Sequence, residues 1–176
     1  LPLAMALGSG GVLALVNSSI GVSGAGVAIA SGGVTEDYHV VGAGTSLNLY
    51  GSIVSATNGI VKADAGTLVF NAPQYYTGAL GTNGTTVNAG TLKLNGGNNT
   101  ILVQPGASIA SVYSLFMNGG TLDLNGNSQI VERISNNNSN AGIGGTIIHS
   151  GAGTVPLTSA TAPSPPLSGP PGPGVA

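Results

Sequence analysis

Two histidines and a few carboxylates are the side chains of this sequence suited to acid–base or metal chemistry. His39 follows Glu36 and Asp37, residue types that can hold a cation or pass a proton. The isolated run EDYH reads instead as a solvated loop leading into a strand. His149 is far away in the chain, at a position where alternation turns its ring inward as a half-buried group. Cleavage of a glycosidic bond wants two carboxylates about 5 to 10 Å apart. Asp64 and Asp123 belong to different sequence units and different faces, and Glu132 beside Arg133 reads as a surface ion pair. Tyr75 and Tyr76 together could stack on a sugar ring, but packing at a chain corner accounts for them better. Cysteine is absent, which excludes thiolate nucleophiles, disulfides and cysteine-based zinc or iron–sulfur sites. These residues predict no catalytic, cofactor-binding or metal site.

The elements that carry these residues follow from composition and spacing. Only three basic and five acidic side chains occur in 176 residues, whereas glycine supplies 31 positions. Soluble domains average about one quarter charged residues. Asn, Thr, Ser and Gly take up the polar positions, and they weaken helices while suiting turns and strands. Three scattered cations, Lys62, Lys93 and Arg133, cannot form the clustered basic face that nucleic acid requires.

The chain repeats itself. AGTSLNLYG from Ala43, AGTLVFNAP from Ala65, AGTLKLNGG from Ala89, GGTLDLNGN from Gly119 and GGTIIHSGA from Gly144 are variants of one unit. Its second glycine falls at Gly44, Gly66, Gly90, Gly120 and Gly145, so successive units are 22, 24, 30 and 25 residues apart. Such a period is one coil of a solenoid. Within each unit, alternation points Leu47, Leu68, Leu92, Leu122 and Ile147 inward, followed by Leu49, Phe70, Leu94, Leu124 and His149. Asn48, Val69, Lys93, Asp123 and Ile148 lie between them and face outward. A slip of one residue would bury Lys93 and Asp123, which fixes the register. Asn71, Asn95 and Asn125 come next, at the corner, where they suit turns and can form an amide ladder from coil to coil. A second strand precedes each glycine corner, in HVVGAG, GIVKADAG, TTVNAG and SLFMNGG.

The predicted fold is all-β: a right-handed parallel β-helix, a single-stranded solenoid of five to six coils in a rod on the order of 25 Å long, with a disordered Pro-rich tail. Residues 1–38 are expected to form an atypical N-terminal coil or cap, 39–155 the repeat region and 156–176 the tail, which holds seven of the ten prolines. Leu1 to Val16 is apolar, but Gly8, Ser9, Gly10 and Gly11 interrupt it, so neither a membrane span nor an intact signal peptide is expected. Neither terminus shows a charged cap, so the isolated chain is expected to be a fragment prone to end-to-end association.

The stretch GTLVFNAPQYYTGALGTNGTTVNAGTLKLNG, residues 66–96, resembles the autotransporter-associated β-strand repeat, also called the passenger-associated transport repeat. The matching residues are Gly66, Thr67 and Leu68, then Tyr76, Thr77 and Gly78, then Thr85 to Leu92; residues 79–84 depart from the pattern as an insertion. Weaker similarity extends the resemblance from Val40 to Thr158. It implies a non-enzymatic stalk, displayed at the surface of a Gram-negative bacterium and carried across the outer membrane by a separate C-terminal β-barrel that these residues do not include. An adhesin module, binding host or neighbouring cells through loops 71–84 and 136–142, is the alternative. A β-helical polysaccharide lyase is the remaining one.

Overall fold

A strand with apolar residues at alternate positions has one apolar side; parallel neighbours of the same pattern extend it into an apolar face, and such faces wrapped round one interior cover one another. In the computed structural model, which describes residues 4–8, 10–31, 36–55, 59–76, 84–101, 114–137 and 142–159, this rule generates a β-solenoid. The described residues form strands and turns and no helix. Three faces wrap one interior. The first face stacks β1 (Ala4–Leu7), β4 (Ala28–Ser31), β7 (Ser52–Ser55) and β10 (Tyr75–Tyr76), and further along it β15 (Gln129–Val131) pairs with β18 (Leu157–Ser159). The second face stacks six strands: β2 (Gly11–Ala14), β5 (Glu36–Val40), β8 (Ile60–Ala63), β11 (Thr85–Val87), β13 (Ser114–Met117) and β16 (Arg133–Ser135). The third stacks β3 (Ser18–Ile20), β6 (Ser46–Leu49), β9 (Thr67–Phe70), β12 (Thr91–Leu94), β14 (Thr121–Asp123) and β17 (Thr146–Ile148). Every pairing is parallel. Six strands mark about five turns, a rise of about 24 Å at about 4.8 Å per step.

The third face sets the register. Leu47, Leu68, Leu92, Leu122 and Ile147 are Cα partners in one unbroken column. Leu49, Phe70, Leu94 and Leu124 are buried beside it, while Ile147, in the last coil, is only partly covered. The second face adds Tyr38, Val40, Ile60, Val87, Leu115 and Met117 to the interior, and the first adds Ile29, Ile53 and Tyr76.

The repeat glycines are where one coil passes tightly over the next. A Cβ at Gly66 would come within 2.5 Å of Val40 Cγ1, and one at Gly120 within 2.6 Å of Val87 Cγ1. A Cβ at Gly145 would meet Met117 Cε at 2.6 Å. Gly90 is constrained twice, by φ of +62° and by carbonyl oxygens 2.3 Å from its missing Cβ. Gly44 differs: its φ is +87°, but nothing lies within 4 Å.

Four expectations change. Each coil has three strands, not two, because the first face (AMAL, AIAS, SIVS, YY) is built from short segments without an apolar alternation. Residues drawn as an atypical cap already follow the plan of the rod, since β1, β2 and β3 pair in register with β4, β5 and β6. The chain continues past residue 155 as β18. Pro156 precedes that strand, where its missing N–H costs nothing, and its carbonyl accepts the Gln129 backbone N–H at 3.1 Å. Residues 160–176, the rest of the proline-rich segment, lie outside the described residues. Finally, His149 is exposed rather than inward: β17 ends at Ile148, and the ring rests near the Gly151 carbonyl at 3.3 Å. No helix among the described residues is long and apolar enough to cross a membrane.

Candidate functional site

Polar side chains gather along the two corners that flank the third face. At the corner leaving it, Asn95 donates its amide to Asn71 Oδ1 at 2.7 Å and Asn125 donates to Asn95 Oδ1 at 2.9 Å. Asn71 continues the line to Asn48 at 3.3 Å, and the Ser150 hydroxyl reaches Asn125 Oδ1 at 3.4 Å. Asn125 takes a φ of +50°, the left-handed geometry that asparagine tolerates at a turn.

Asp123 lies outward between the core residues Leu122 and Leu124, yet it is nearly inaccessible, so its placement among solvent-facing groups needs correction. In preceding coils the corner N–H bonds a carbonyl of the neighbouring coil, as Asn71 does to Leu49 and Asn95 to Phe70. Here the N–H groups of Asn125 and Ser150 both turn to Asp123 Oδ1 at 2.9 Å. The Ser150 hydroxyl donates to Oδ2 at 2.7 Å, and the Lys93 ammonium stands 3.5 Å from it. Burial acts to raise the carboxyl pKa, but the hydrogen bonds from Ser150 and Asn125, with Lys93 beside them, hold it below its ordinary value.

The glycine corner carries the other cluster. His39 is part of strand β5 rather than a loop, and its Nδ1 lies 2.8 Å from Asp64 Oδ2 in the next coil. Tyr38, between Asp37 and His39, points into the core. The Lys62 side chain enters the interior column between Tyr38 and Val87. Its ammonium then bends to the corner, donating to the carbonyls of Ala63, Asp64 at 2.7 Å and Ala89 at 3.2 Å. Burial pushes its pKa down to about 8, partly opposed by the Asp64 carboxylate. Further along this corner Asn118 donates to Asn88 Oδ1 at 2.9 Å and accepts the Asn137 N–H at 3.0 Å, a second amide ladder.

On the first face, two buried glutamines take the place of strand pairing. Gln74 accepts the Ile53 N–H at 2.8 Å and donates to Gly51 O at 3.4 Å. Gln129 accepts the Ile101 N–H at 3.0 Å and donates back to Ile101 O at 2.8 Å. Tyr76 is buried with its phenol against the Thr85 hydroxyl, and burial raises its pKa above the ordinary value, whereas its neighbour Tyr75 is exposed. The two rings therefore face opposite ways and do not form one platform.

The sequence reading did not find the Asn88–Asn118 ladder, the carbonyl cage of Lys62, the His39–Asp64 pair or the two glutamines. The recurrence of Asn at the end of TTVN and LFMN was the available signal for the first. Among the described residues, no three of His, Asp and Glu come together as a candidate cation site. Residues 77–83 and 138–141, within the loops considered for adhesion, lie outside the described residues. Comparison with protein-family models, curated proteins and solved structures gave no match.

Proposed function

We propose that this chain is a scaffold segment of an exported passenger of the autotransporter type, a stalk displayed at the bacterial surface that assists its own export. The observation that carries this reading is how the polar side chains are used. His39 to Asp64, Lys62 to Ala89, Asn71 to Asn95, Asn88 to Asn118 and Asp123 to Ser150 each join one coil to the next, 24 to 30 residues away. These groups hold the coils in register. In such a solenoid a folded coil presents three strand edges on which the following one can form, so folding of emerging coils draws the rest outward. The motif from Gly66 to Leu92 supplies the link to autotransporters, and a C-terminal outer-membrane barrel of the parent protein is the partner it implies.

The test is protease accessibility on intact cells expressing the parent reading frame with and without its downstream barrel. Cleavage that depends on the barrel is expected. A parent frame without any barrel, whose product stays in the cytoplasm, overturns the proposal.

Adhesion is a second reading favoured by one feature. Tyr75, 52% exposed, stands outward beside exposed Val54 on the first face, an aromatic and apolar spot next to the 77–83 segment. Attachment of cells displaying Tyr75→Ala should fall if this spot contacts a ligand, and unchanged attachment removes the reading.

A further inference from the structure

Where glycine follows asparagine, a chain can attack its own side chain, because glycine has no Cβ to hinder its nitrogen from swinging onto the asparagine amide carbon. Five such pairs occur: Asn58-Gly59, Asn83-Gly84, Asn95-Gly96, Asn118-Gly119 and Asn125-Gly126. Asn58 and Asn83 lie outside the described residues. The other three asparagines belong to the two amide ladders. Two features of the surroundings govern the attack. The glycine N–H must be free to lose its proton to water, and a donor should already point at the side-chain oxygen on which negative charge develops.

At Asn95 the Gly96 N–H is taken by the Thr100 hydroxyl, at 3.2 Å. At Asn125 the following coil packs over the nitrogen, since a Cβ at Gly151 would lie 2.5 Å from Gly126 N. The donor to the Asn125 side-chain oxygen is the Ser150 hydroxyl, at a long 3.4 Å. At Asn118 both conditions hold. Gly119 is exposed, and its N–H makes no hydrogen bond among the described residues. Asn118 Oδ1 accepts the backbone N–H of Asn137 at 3.0 Å, the distance at which an oxyanion donor works.

We infer that Asn118 is a self-modification site, converted to aspartate and isoaspartate by its own glycine neighbour. The Gly119 N–H gives its proton to water or hydroxide, the nitrogen bonds to Asn118 Cγ, and the Cγ–Nδ2 bond breaks. Ammonia leaves, and a five-membered succinimide remains. Water then opens the ring. Breaking the bond from the nitrogen to Cγ restores the main chain with an aspartate. Breaking the bond from the nitrogen to the Asn118 backbone carbonyl carbon leaves isoaspartate, with one more carbon in the backbone. In sum, amide and water become carboxyl and ammonia. Either product removes the NH2 that donates to Asn88 Oδ1, so the ladder loses that bond. Isoaspartate does more: its extra carbon falls just ahead of Gly120, where a Cβ would lie 2.6 Å from Val87 Cγ1, and so disturbs the tight passage that sets β14 on β12. This inference concerns one corner of the chain and stands apart from the export reading.

The test incubates the full folded chain at mildly alkaline pH and follows each site by peptide mapping, where the exchange of NH2 for OH changes the mass. Isoaspartate is scored separately by an isoaspartyl-specific methyltransferase. Asn118 is expected to convert several times faster than Asn95 and Asn125. Conversion at either of those as fast as at Asn118 overturns the inference, as does an intact Asn118 in the folded chain when the urea-unfolded chain has converted all three. Asn137→Pro removes the N–H that faces Asn118 Oδ1 and leaves Asn118 and Gly119 in place. In a variant that keeps a strand-rich circular dichroism spectrum, conversion at Asn118 is expected to slow several-fold, and an unchanged rate overturns the inference. Should that variant fail to fold, the order of the three sites in the wild type decides.

Discussion

Lys62 in the third coil donates its ammonium to the carbonyl of Ala89 in the fourth at 3.2 Å, so a cation inside the core ties two coils together at the glycine corner. Its pKa is depressed to about 8 from an ordinary 10.5, so between these values the unfolded chain binds the proton and the folded chain does not. Stability must therefore rise with pH above 8, by at most about 1.4 kcal/mol per pH unit from this one group. Near pH 10 the raised pKa of Tyr76 acts in the opposite sense, because the unfolded phenol ionises first. The urea midpoint of the wild type should increase from pH 8 to 10, and Lys62→Met should flatten the curve. An equal slope in both proteins would show that Lys62 is not the titrating group.

Glycine substitutions along one corner should differ in a fixed order. Gly90→Ala combines a left-handed backbone with contacts of 2.3 Å to the Asp64 and Gly66 carbonyl oxygens of the preceding coil, and overpacking alone costs about 1 to 3 kcal/mol. Gly66→Ala meets Val40 at 2.5 Å without a left-handed φ. Gly44→Ala has open space and carries only the backbone penalty of φ at +87°, about 1 kcal/mol. Denaturant unfolding of the three variants should rank them in that order of damage, and a Gly44 variant as damaged as the Gly90 one would contradict it.

The Asn71–Asn95–Asn125 ladder predicts that charge matters more than size at its centre. Asn95→Ala loses both ladder bonds at an exposed site, where water replaces them, a loss of about 1 kcal/mol. Asn95→Asp keeps the bond accepted from Asn125 but sets a carboxylate oxygen against Asn71 Oδ1 where an N–H now sits at 2.7 Å. At pH 7 the aspartate variant should therefore be the less stable, and at pH 3, with the carboxyl protonated and able to donate, the order should reverse because both ladder bonds are restored. Thermal melting of both variants at the two pH values decides it.

The third face was legible because its signal is local: a glycine, a threonine and two apolar residues two apart recur in the first four units, and Leu47, Leu68, Leu92 and Leu122 accordingly share one column. The first face was not, because Ala4–Leu7 or Ser52–Ser55 carry no pattern that separates strand from turn, and their pairing rests on coils 21 to 24 residues away. Lys62 was hidden for a related reason. A lysine at an inward register normally argues against that register, and only the carbonyls of Ala63, Asp64 and Ala89, gathered by the glycine corner, make it tolerable. The alternation did place Asp123 beside Lys93, but not its burial, which comes from a turn 27 residues further on.

That turn sets the acid response of the last coils. Asp123 accepts the N–H groups of Asn125 and Ser150 and the Ser150 hydroxyl, all better acceptor bonds when the carboxyl is ionised. Its folded pKa is below the ordinary 3.8, so the unfolded chain takes up the proton first as pH falls; the stabilisation is full above that value and is lost as pH drops through the folded one. Asp123→Asn keeps one acceptor oxygen and gives up the charge facing Lys93, so at pH 7 it should be less stable by about 1 to 2 kcal/mol. Between pH 5 and pH 2 its urea midpoint should fall less than that of the wild type, which brings the two curves together at low pH. Parallel curves across that range would mean that the Ser150 turn is held by something other than the ionised carboxylate.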